Sequence, residues 1–142
     1  MIKIQSNDFD IDKEIYQIQS KHDSIGAVST FVGYVRNLNN ENRVTSICID
    51  AYKDMAYKSL KKICLKSRKK WSIIDTLIIH RFGKLKVNEK IVLVATFAMH
   101  RKDSNESCNY IMNYLKKDVP FWKKEFYKND TFKWLENTKL KN

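Results

Sequence analysis

Two hydrophobic periods alternate along the chain, one typical of helices and one typical of strands. Apolar residues between positions 11 and 18 recur at helical spacing behind an aspartate that can cap a helix. Over residues 55–71 the apolar positions form one stripe and the lysines occupy the opposite face, which predicts a long amphipathic helix. A third helix is predicted to follow Asp103, which has a glutamate three residues later as in a capping box, and to end at Pro120.

Segments rich in β-branched and aromatic residues predict the strands. They cover residues 2–4, 26–35, 44–52, 73–82, 90–99 and, as a short last strand, 132–135. The second and third of these follow one another across a polar loop, so we expect them to pair as an antiparallel hairpin. The order βαββαββα with a terminal strand predicts an α+β domain, in which mostly antiparallel strands carry helices on one face. No repeat or linker divides the chain, so residues 1–142 are expected to form one domain.

Charge is the first indication of function. The chain has 27 Lys and Arg residues against 16 Asp and Glu residues, a formal net charge of +11. Such an excess favours an anionic partner, which can be nucleic acid, a phosphorylated small molecule or an acidic protein. Eight of the basic residues lie in residues 53–70 beside one acid, Asp54. That helix could neutralise phosphates, but a solvated lysine face is the commoner situation, and no nucleic-acid-binding motif accompanies it.

The remaining composition indicates a cytoplasmic protein. No apolar run reaches the roughly 18 residues that cross a bilayer, and the first residues turn acidic where a secretory signal would stay apolar. The three cysteines are odd in number and too far apart in sequence to form a metal-binding pair. Free thiols in a reducing compartment are therefore expected.

Histidine–arginine pairs stand at the predicted ends of two strands. These are His80-Arg81 and His100-Arg101, and Arg36 ends a third strand. A guanidinium offers a planar fork of donors that matches phosphate oxygens, and a neighbouring histidine adds a donor or a proton. The alternative is that each pair only terminates a strand at the protein surface.

The segment KKDVPFWKKE, residues 116–125, is the most unusual part of the chain. Pro120 fixes the backbone between Lys116 and Lys123, and the two aromatic residues after it supply flat apolar surface. A lysine that is partly desolvated and crowded by other cations has a lowered pKa and can act as a base or nucleophile near neutral pH. The alternative is that the lysines are solvated and the aromatic residues belong to the core.

Five motifs in order and spacing carry a family resemblance. GAVSTFVGYVRN, DAYKDMA, IIHRFGKL, AMHR and YLKKDVPFWKKE resemble the large catalytic subunit of molybdopterin synthase, over about residues 8–134. One departure is Asp50, where the family usually has glutamate. The resemblance implies an α/β hammerhead-type fold and a sulfurtransferase of molybdenum cofactor biosynthesis. Its substrate would be cyclic pyranopterin monophosphate, or precursor Z, which receives the two sulfurs of the molybdopterin dithiolene.

The resemblance also implies partners and site residues. Sulfur would arrive as the C-terminal thiocarboxylate of a small ubiquitin-like subunit, and two large subunits would dimerise at the centre of a heterotetramer. No metal or other cofactor is implied. Lys116 takes the central catalytic role, and Lys123 supports substrate binding and proton transfer. The implied binding positions are Arg36 with the backbone of Tyr34 and Val35, then His100 and Arg101, partly across the dimer interface, and Lys124 and Glu125 at the pocket rim. His80 and Arg81 are expected to support the structure or the site without binding substrate.

Two other functions remain open at the level of sequence. A basic binding module would hold RNA or another phosphate-rich ligand through residues 53–70 without chemistry. A scaffold that retains the fold without activity is disfavoured, because both motif lysines, Arg36 and His100-Arg101 are present.

Overall fold

The structure, a computed structural model, describes residues 1–39 and 42–135. In chain order its elements are β1 (Ile2–Gln5), α1 (Ile11–Gln19), β2 (Ala27–Tyr34), β3 (Leu38–Asn39), β4 (Asn42–Ala51), α2 (Lys53–Lys70), β5 (Ile73–Arg81), β6 (Gly83–Lys86), β7 (Lys90–Ala98), α3 (Arg101–Asp118), β8 (Phe121–Tyr127) and β9 (Phe132–Trp134). The predicted α+β class is confirmed. Within the described ranges, no helix is long and apolar enough to cross a membrane.

The first sheet has the strand order β1-β5-β7-β2. β1 runs parallel to β5, and the other neighbours are antiparallel. Every residue of β7 from Ile91 to Ala98 is buried, although successive side chains point to opposite faces. The sheet is therefore covered on both sides.

Helices cover both faces of this sheet, which corrects the prediction that they lie on one. One hydrophobic cluster joins Leu77, Ile79 and Leu93 to α1. The other joins the alternate positions of the same strands, such as Ile78, to α2 and α3. The unbroken apolar sequence of β7 is the signal that two faces are buried, because a strand with one solvated face alternates apolar and polar residues.

The second sheet contains β4, which pairs antiparallel with β3, β6 and β8, while β9 extends β8. The predicted hairpin between β2 and β4 is wrong, because β2 pairs with β7 instead. At the end of β2 the Val35 N–H donates to the Glu89 carbonyl oxygen, and the Val35 oxygen accepts from the Asn88 N–H. These two bonds tie the end of β2 to the turn before β7, and β4 then joins the other sheet.

The ends of α1 and α3 can be compared with the predicted helix boundaries. Asp10 caps α1 by accepting a hydrogen bond from the Lys13 N–H at 3.1 Å. α3 begins three residues earlier than predicted, at Arg101, with His100 at its N-cap and no side-chain cap. The predicted capping box is wrong, and the Glu106 carboxylate instead accepts a hydrogen bond from the Trp71 indole at 2.8 Å. Pro120 does end α3, since Val119 before it is extended.

Candidate active site

A cavity of about 760 Å³ lies along α3, against β2 from Ser29 onward and the beginning of β8. Its volume is within the range of small-molecule sites. The apolar part of its wall includes Phe31, Ile91, Val92, Met112, Leu115, Val119 and Phe121. Its polar part includes Ser29, Tyr34, Arg36, His80, Asn105, Asn109, Asn113, Lys116 and Lys123. An apolar cavity with a few convergent polar groups is the usual form of a ligand site.

The structure brings both motif lysines to this cavity. Lys116 lies in the last turn of α3, Pro120 stops the helix, and Lys123 is the third residue of the strand that follows. The turn at Pro120 therefore folds β8 back toward the end of α3, so that two amines seven residues apart line one space. The alternative that both lysines are simply solvated is wrong for Lys123, which is half-buried, whereas Lys116 is exposed.

Burial and a second cation change the acidity of Lys123. Desolvation lowers its pKa most, the positive charge of Lys116 lowers it further, and the negative charge of Glu125 acts in the opposite direction. Both of the first two effects disfavour the ammonium form. Lys123 therefore has a larger neutral fraction near neutral pH than a surface lysine, which suits a group that exchanges protons.

Glu125 lies behind Lys123 rather than at the cavity rim. Residues 123 and 125 share one face of β8. The Glu125 carboxylate is buried and accepts hydrogen bonds from the Asn39 amide at 2.6 Å and from the Tyr127 hydroxyl at 3.1 Å. Glu125 thus offsets part of the positive charge of the site from beneath the surface, and it is not among the residues that line the cavity.

Lys124 lies on the opposite face of β8. Its ammonium group is 3.8 Å from the centre of the Phe132 ring and 5.4 Å from the centres of the Phe126 and Trp134 rings. The rim position expected for Lys124 is therefore not found within one chain. Its cation–π contacts instead connect β8 to β9.

Arg36 and Tyr34 line the cavity at the end of β2. Both side chains are exposed, and within the described residues the Arg36 guanidinium has no ion pair or hydrogen bond. Its donors are free to bind an anion. The backbone of Val35 differs from the expectation, because its N–H donates to Glu89 and is not available to a ligand, and its carbonyl oxygen already accepts from Asn88.

His100 and Arg101 lie outside the cavity of their own chain. They occupy the N-cap and first position of α3, both exposed, one turn before Asn105, where the cavity wall begins. The lysines of α2 are also exposed and away from the cavity, as the amphipathic pattern predicts. No group of three or more His, Cys, Asp or Glu side chains in the described part of the chain could hold a metal ion.

The two residues of the first His-Arg pair have different positions. Arg81 is buried and donates to the backbone oxygens of Ser6 and Lys90, in agreement with a structural role. His80 is buried too, but it lines the cavity, where sequence reasoning did not place it. The alternation of side chains along β5 explains this position. His80 lies two residues after Ile78 and therefore on the same face of the strand, which packs toward α2 and α3.

Sequence reasoning also missed three asparagines of the cavity wall. Asn105, Asn109 and Asn113 are four residues apart on α3 and follow the face that ends at Lys116. Their spacing beside the motif lysine is a usable signal, although polar residues on a helix face are more commonly only solvated. They add amide donors and acceptors to a cavity that already has cations.

Comparison with known proteins identifies the family. The family model described as MoaE protein matches residues 4–118. The chain belongs to the MoaE protein family. The matched residues include Arg36, His100-Arg101 and Lys116, and they end two residues before Pro120, so Lys123 lies just beyond them.

Individual relatives of this MoaE-family chain cover it more completely. The molybdopterin synthase catalytic subunit of Ralstonia nicotianae is 41% identical over 124 residues, which are 87% of this chain and 70% of the relative. That of Pyrococcus abyssi is 36% identical over 129 residues, 91% of this chain and 85% of the relative. Both alignments are longer than the 115 residues, 4–118, that the family model matches.

Solved structures share the fold. The MoaE protein of Burkholderia ambifaria superposes with a TM-score of 0.83 at 39% identity, covering 96% of this chain and 89% of the other. Molybdopterin synthase from Staphylococcus aureus superposes with a TM-score of 0.86 at 32% identity, covering 94% of this chain and 96% of the other. The architecture described above is therefore that of the family.

Proposed function

We propose that this chain is the catalytic subunit of a molybdopterin synthase, a sulfurtransferase of molybdenum cofactor biosynthesis. It transfers sulfur from the C-terminal thiocarboxylate of a small ubiquitin-like subunit to cyclic pyranopterin monophosphate and so forms the dithiolene of molybdopterin. The observation that carries the proposal is the convergence of Lys116, Lys123 and Arg36 on one cavity. The relatives named as molybdopterin synthase catalytic subunits support the same assignment.

The cations of the cavity suit the charge that the reaction develops. Opening the cyclic phosphate and expelling oxygen from carbon both place negative charge on oxygen, and fixed cations stabilise that charge better than water does. Lys116, exposed in the cavity wall, is the residue that meets the incoming thiocarboxylate and the carbon that receives sulfur. Arg36 holds the phosphate through its planar fork of donors.

Lys123 serves as the proton carrier of the site. Its pKa is lowered by burial and by Lys116, so the amine can accept a proton from one group and return it to another near neutral pH. Glu125, held by Asn39 and Tyr127, limits this lowering and keeps part of the amine protonated for substrate binding.

The assembly follows the same proposal. The cavity is open along α3, and a peptide tail from the small subunit enters there beside Lys116. The net charge of +11 attracts an acidic partner and raises its rate of association. Two large subunits form the dimer at the centre of a heterotetramer, where His100 and Arg101 of one chain complete the phosphate and pterin site of the other.

The cell compartment and domain organisation belong to the same proposal. Cys48, Cys64 and Cys108 are unpaired thiols in the structure, which suits a reducing cytoplasm. The whole chain acts as one domain, because the two hydrophobic clusters share the strands β5 and β7.

Reconstitution with precursor Z and a thiocarboxylated small subunit tests the function. We expect dithiolene product with the wild-type chain and a loss of at least about a hundredfold with Lys116→Ala, the size expected when a group that stabilises developing charge is removed. Lys124→Ala is the matched control, because its side chain lies on the other face of β8, and it should retain activity. Near-normal product formation by Lys116→Ala would contradict the catalytic assignment.

A further inference from the structure

His80 has one ring nitrogen whose role is not accounted for. Its Nδ1 lies 2.9 Å from the carbonyl oxygen of Arg81. Since a carbonyl oxygen only accepts hydrogen bonds, Nδ1 carries the hydrogen and Nε2 of the neutral ring carries a lone pair. The residue is 1% exposed, and among the described residues Nε2 has no hydrogen-bond partner. A buried polar atom without a partner in the wall of a ligand cavity calls for a functional explanation.

The ring is fixed beside Lys123. It stacks on Phe121 with ring centres 3.6 Å apart and planes inclined by 7°. Phe121 and Lys123 are alternate residues of β8 and therefore project from the same face of the strand. Burial lowers the pKa of His80 to about 3; the hydrogen bond to Arg81 acts in the opposite direction, and the charge of Lys123 adds a smaller lowering. The ring stays neutral at any pH near neutrality, so Nε2 remains an acceptor.

The charged groups around the Lys123 amine are two cations and one carboxylate that is already partly engaged. Lys116 approaches from α3 and Arg36 lines the cavity from the end of β2, and both are cations. Tyr34 also reaches the cavity from β2, but its side chain is half exposed. Glu125 on the same strand as Lys123 already accepts from two donors through Oε1. Within the described residues the Lys123 amine has no hydrogen-bond partner of its own.

We propose that His80 is a positioning residue for Lys123: its Nε2 accepts a hydrogen bond from the Lys123 amine and holds that amine toward the substrate cavity. This role rests on the function proposed above and adds a residue to it. An uncharged acceptor suits the task, because a carboxylate would bind the ammonium as an ion pair and oppose loss of its proton. The stack on Phe121 and the hydrogen bond to Arg81 fix the ring, so the ring loses little conformational entropy when it binds the amine.

The ring nitrogen itself gives the first test, which needs neither substrate nor partner. Long-range ¹H–¹⁵N spectra of the free chain report whether the Nε2 lone pair accepts a hydrogen bond. We expect the Nε2 resonance of His80 to move when Lys123 is replaced in Lys123→Met and to stay in place in Lys124→Met, whose side chain lies on the other face of β8. An Nε2 resonance that is the same in Lys123→Met as in the wild type would overturn the proposal.

Two substitutions of His80 separate positioning from packing. His80→Phe keeps the stack on Phe121 and removes both nitrogens, whereas His80→Gln keeps an acceptor and removes the stack. We expect His80→Phe to lower kcat at least tenfold, with the KM for precursor Z within twofold of wild type, and to move the pH profile of kcat to lower pH. His80→Gln should recover most of the activity. Wild-type kcat and an unchanged pH profile in His80→Phe would reduce His80 to a packing residue.

The two tests also separate this inference from the proposed function. If the wild-type chain formed no dithiolene product, the function would fail, but the ring-nitrogen spectra would still decide whether His80 binds Lys123. If His80→Phe did not fold, the spectra of Lys123→Met would decide alone, because that variant leaves His80 intact.

Discussion

Arg81 and Arg36 present the same side chain in two opposite situations, and their replacement by methionine should separate stability from activity. The Arg81 side chain is buried, and its Nε and Nη2 atoms donate to the Ser6 carbonyl at 3.1 and 3.0 Å. Its Nη1 atom donates to the Lys90 carbonyl at 3.1 Å. The guanidinium thus connects the end of β1 to the start of β7. Arg36 is exposed and makes no such bond with the described residues.

The size of the Arg81 effect follows from these bonds. A hydrogen bond from a charged donor contributes about 1.5–3 kcal/mol. The two bonds to Ser6 share one acceptor, so the three contributions do not add fully, and we expect Arg81→Met to destabilise the fold by about 3–5 kcal/mol. The carboxylates of Asp8 and Glu89, at 3.9 and 3.8 Å, are solvent-exposed and contribute little.

Urea unfolding followed by circular dichroism measures the difference. Arg81→Met should have a lower unfolding midpoint with an unchanged slope, and its melting temperature should fall by about 10–20 °C, since 1 kcal/mol corresponds to roughly 3–5 °C in a chain of this size. Arg36→Met should unfold within about 0.5 kcal/mol of wild type and lose synthase activity. A loss of less than about 1 kcal/mol in Arg81→Met would refute the reasoning from its three hydrogen bonds.

Two further predictions concern stability. The pKa of His80 is about 3 in the folded chain, below the ordinary value of 6.5, so the unfolded chain takes up a proton first as the pH falls. The stabilisation is complete above pH 6.5 and is lost progressively toward pH 3. Between pH 7 and pH 5 the wild type should therefore lose about 2 kcal/mol more unfolding free energy than His80→Phe, which has no histidine at this position. Urea titrations that give the same difference between the two proteins at both pH values would contradict this. Gly26→Ala should destabilise by about 1–3 kcal/mol, because the added Cβ would clash with the backbone oxygen of Met99. Unchanged urea unfolding would show that this backbone moves aside.

The local elements of the fold follow from the sequence because their signals are local. The stripe of apolar residues in α2 and the cap of α1 each depend on residues within a few turns. The pairing of β2 with β7 could not be predicted in the same way, because it joins residues more than 50 positions apart. A strand usually pairs with its neighbour in sequence. β2 instead pairs with β7, and the Val35 hydrogen bonds to the turn before β7 hold its end there.

β8 was not predicted as a strand, and its function explains why. A half-buried strand is recognised by apolar residues at every second position, but its inward positions include Lys123 and Glu125. The residues that serve the cavity thus replace the pattern that would reveal the element. Sequence rules fail most often at such functional positions. The motif lysines can be predicted from their chemistry, whereas the place of His80 in the cavity depends on which face of β5 is turned toward α3.

The alternation of β8 has a consequence for variation in chain length. Lys123 and Lys124 are chemically identical neighbours, yet one serves the cavity and the other rests on aromatic rings. A single inserted or deleted residue between Pro120 and this pair, with the pairing of β8 to β4 otherwise maintained, would exchange their faces. The number of lysines and the net charge would stay the same, but Lys124 instead of Lys123 would face the cavity. In homologous chains that keep this activity, insertions or deletions at this place should therefore contain an even number of residues.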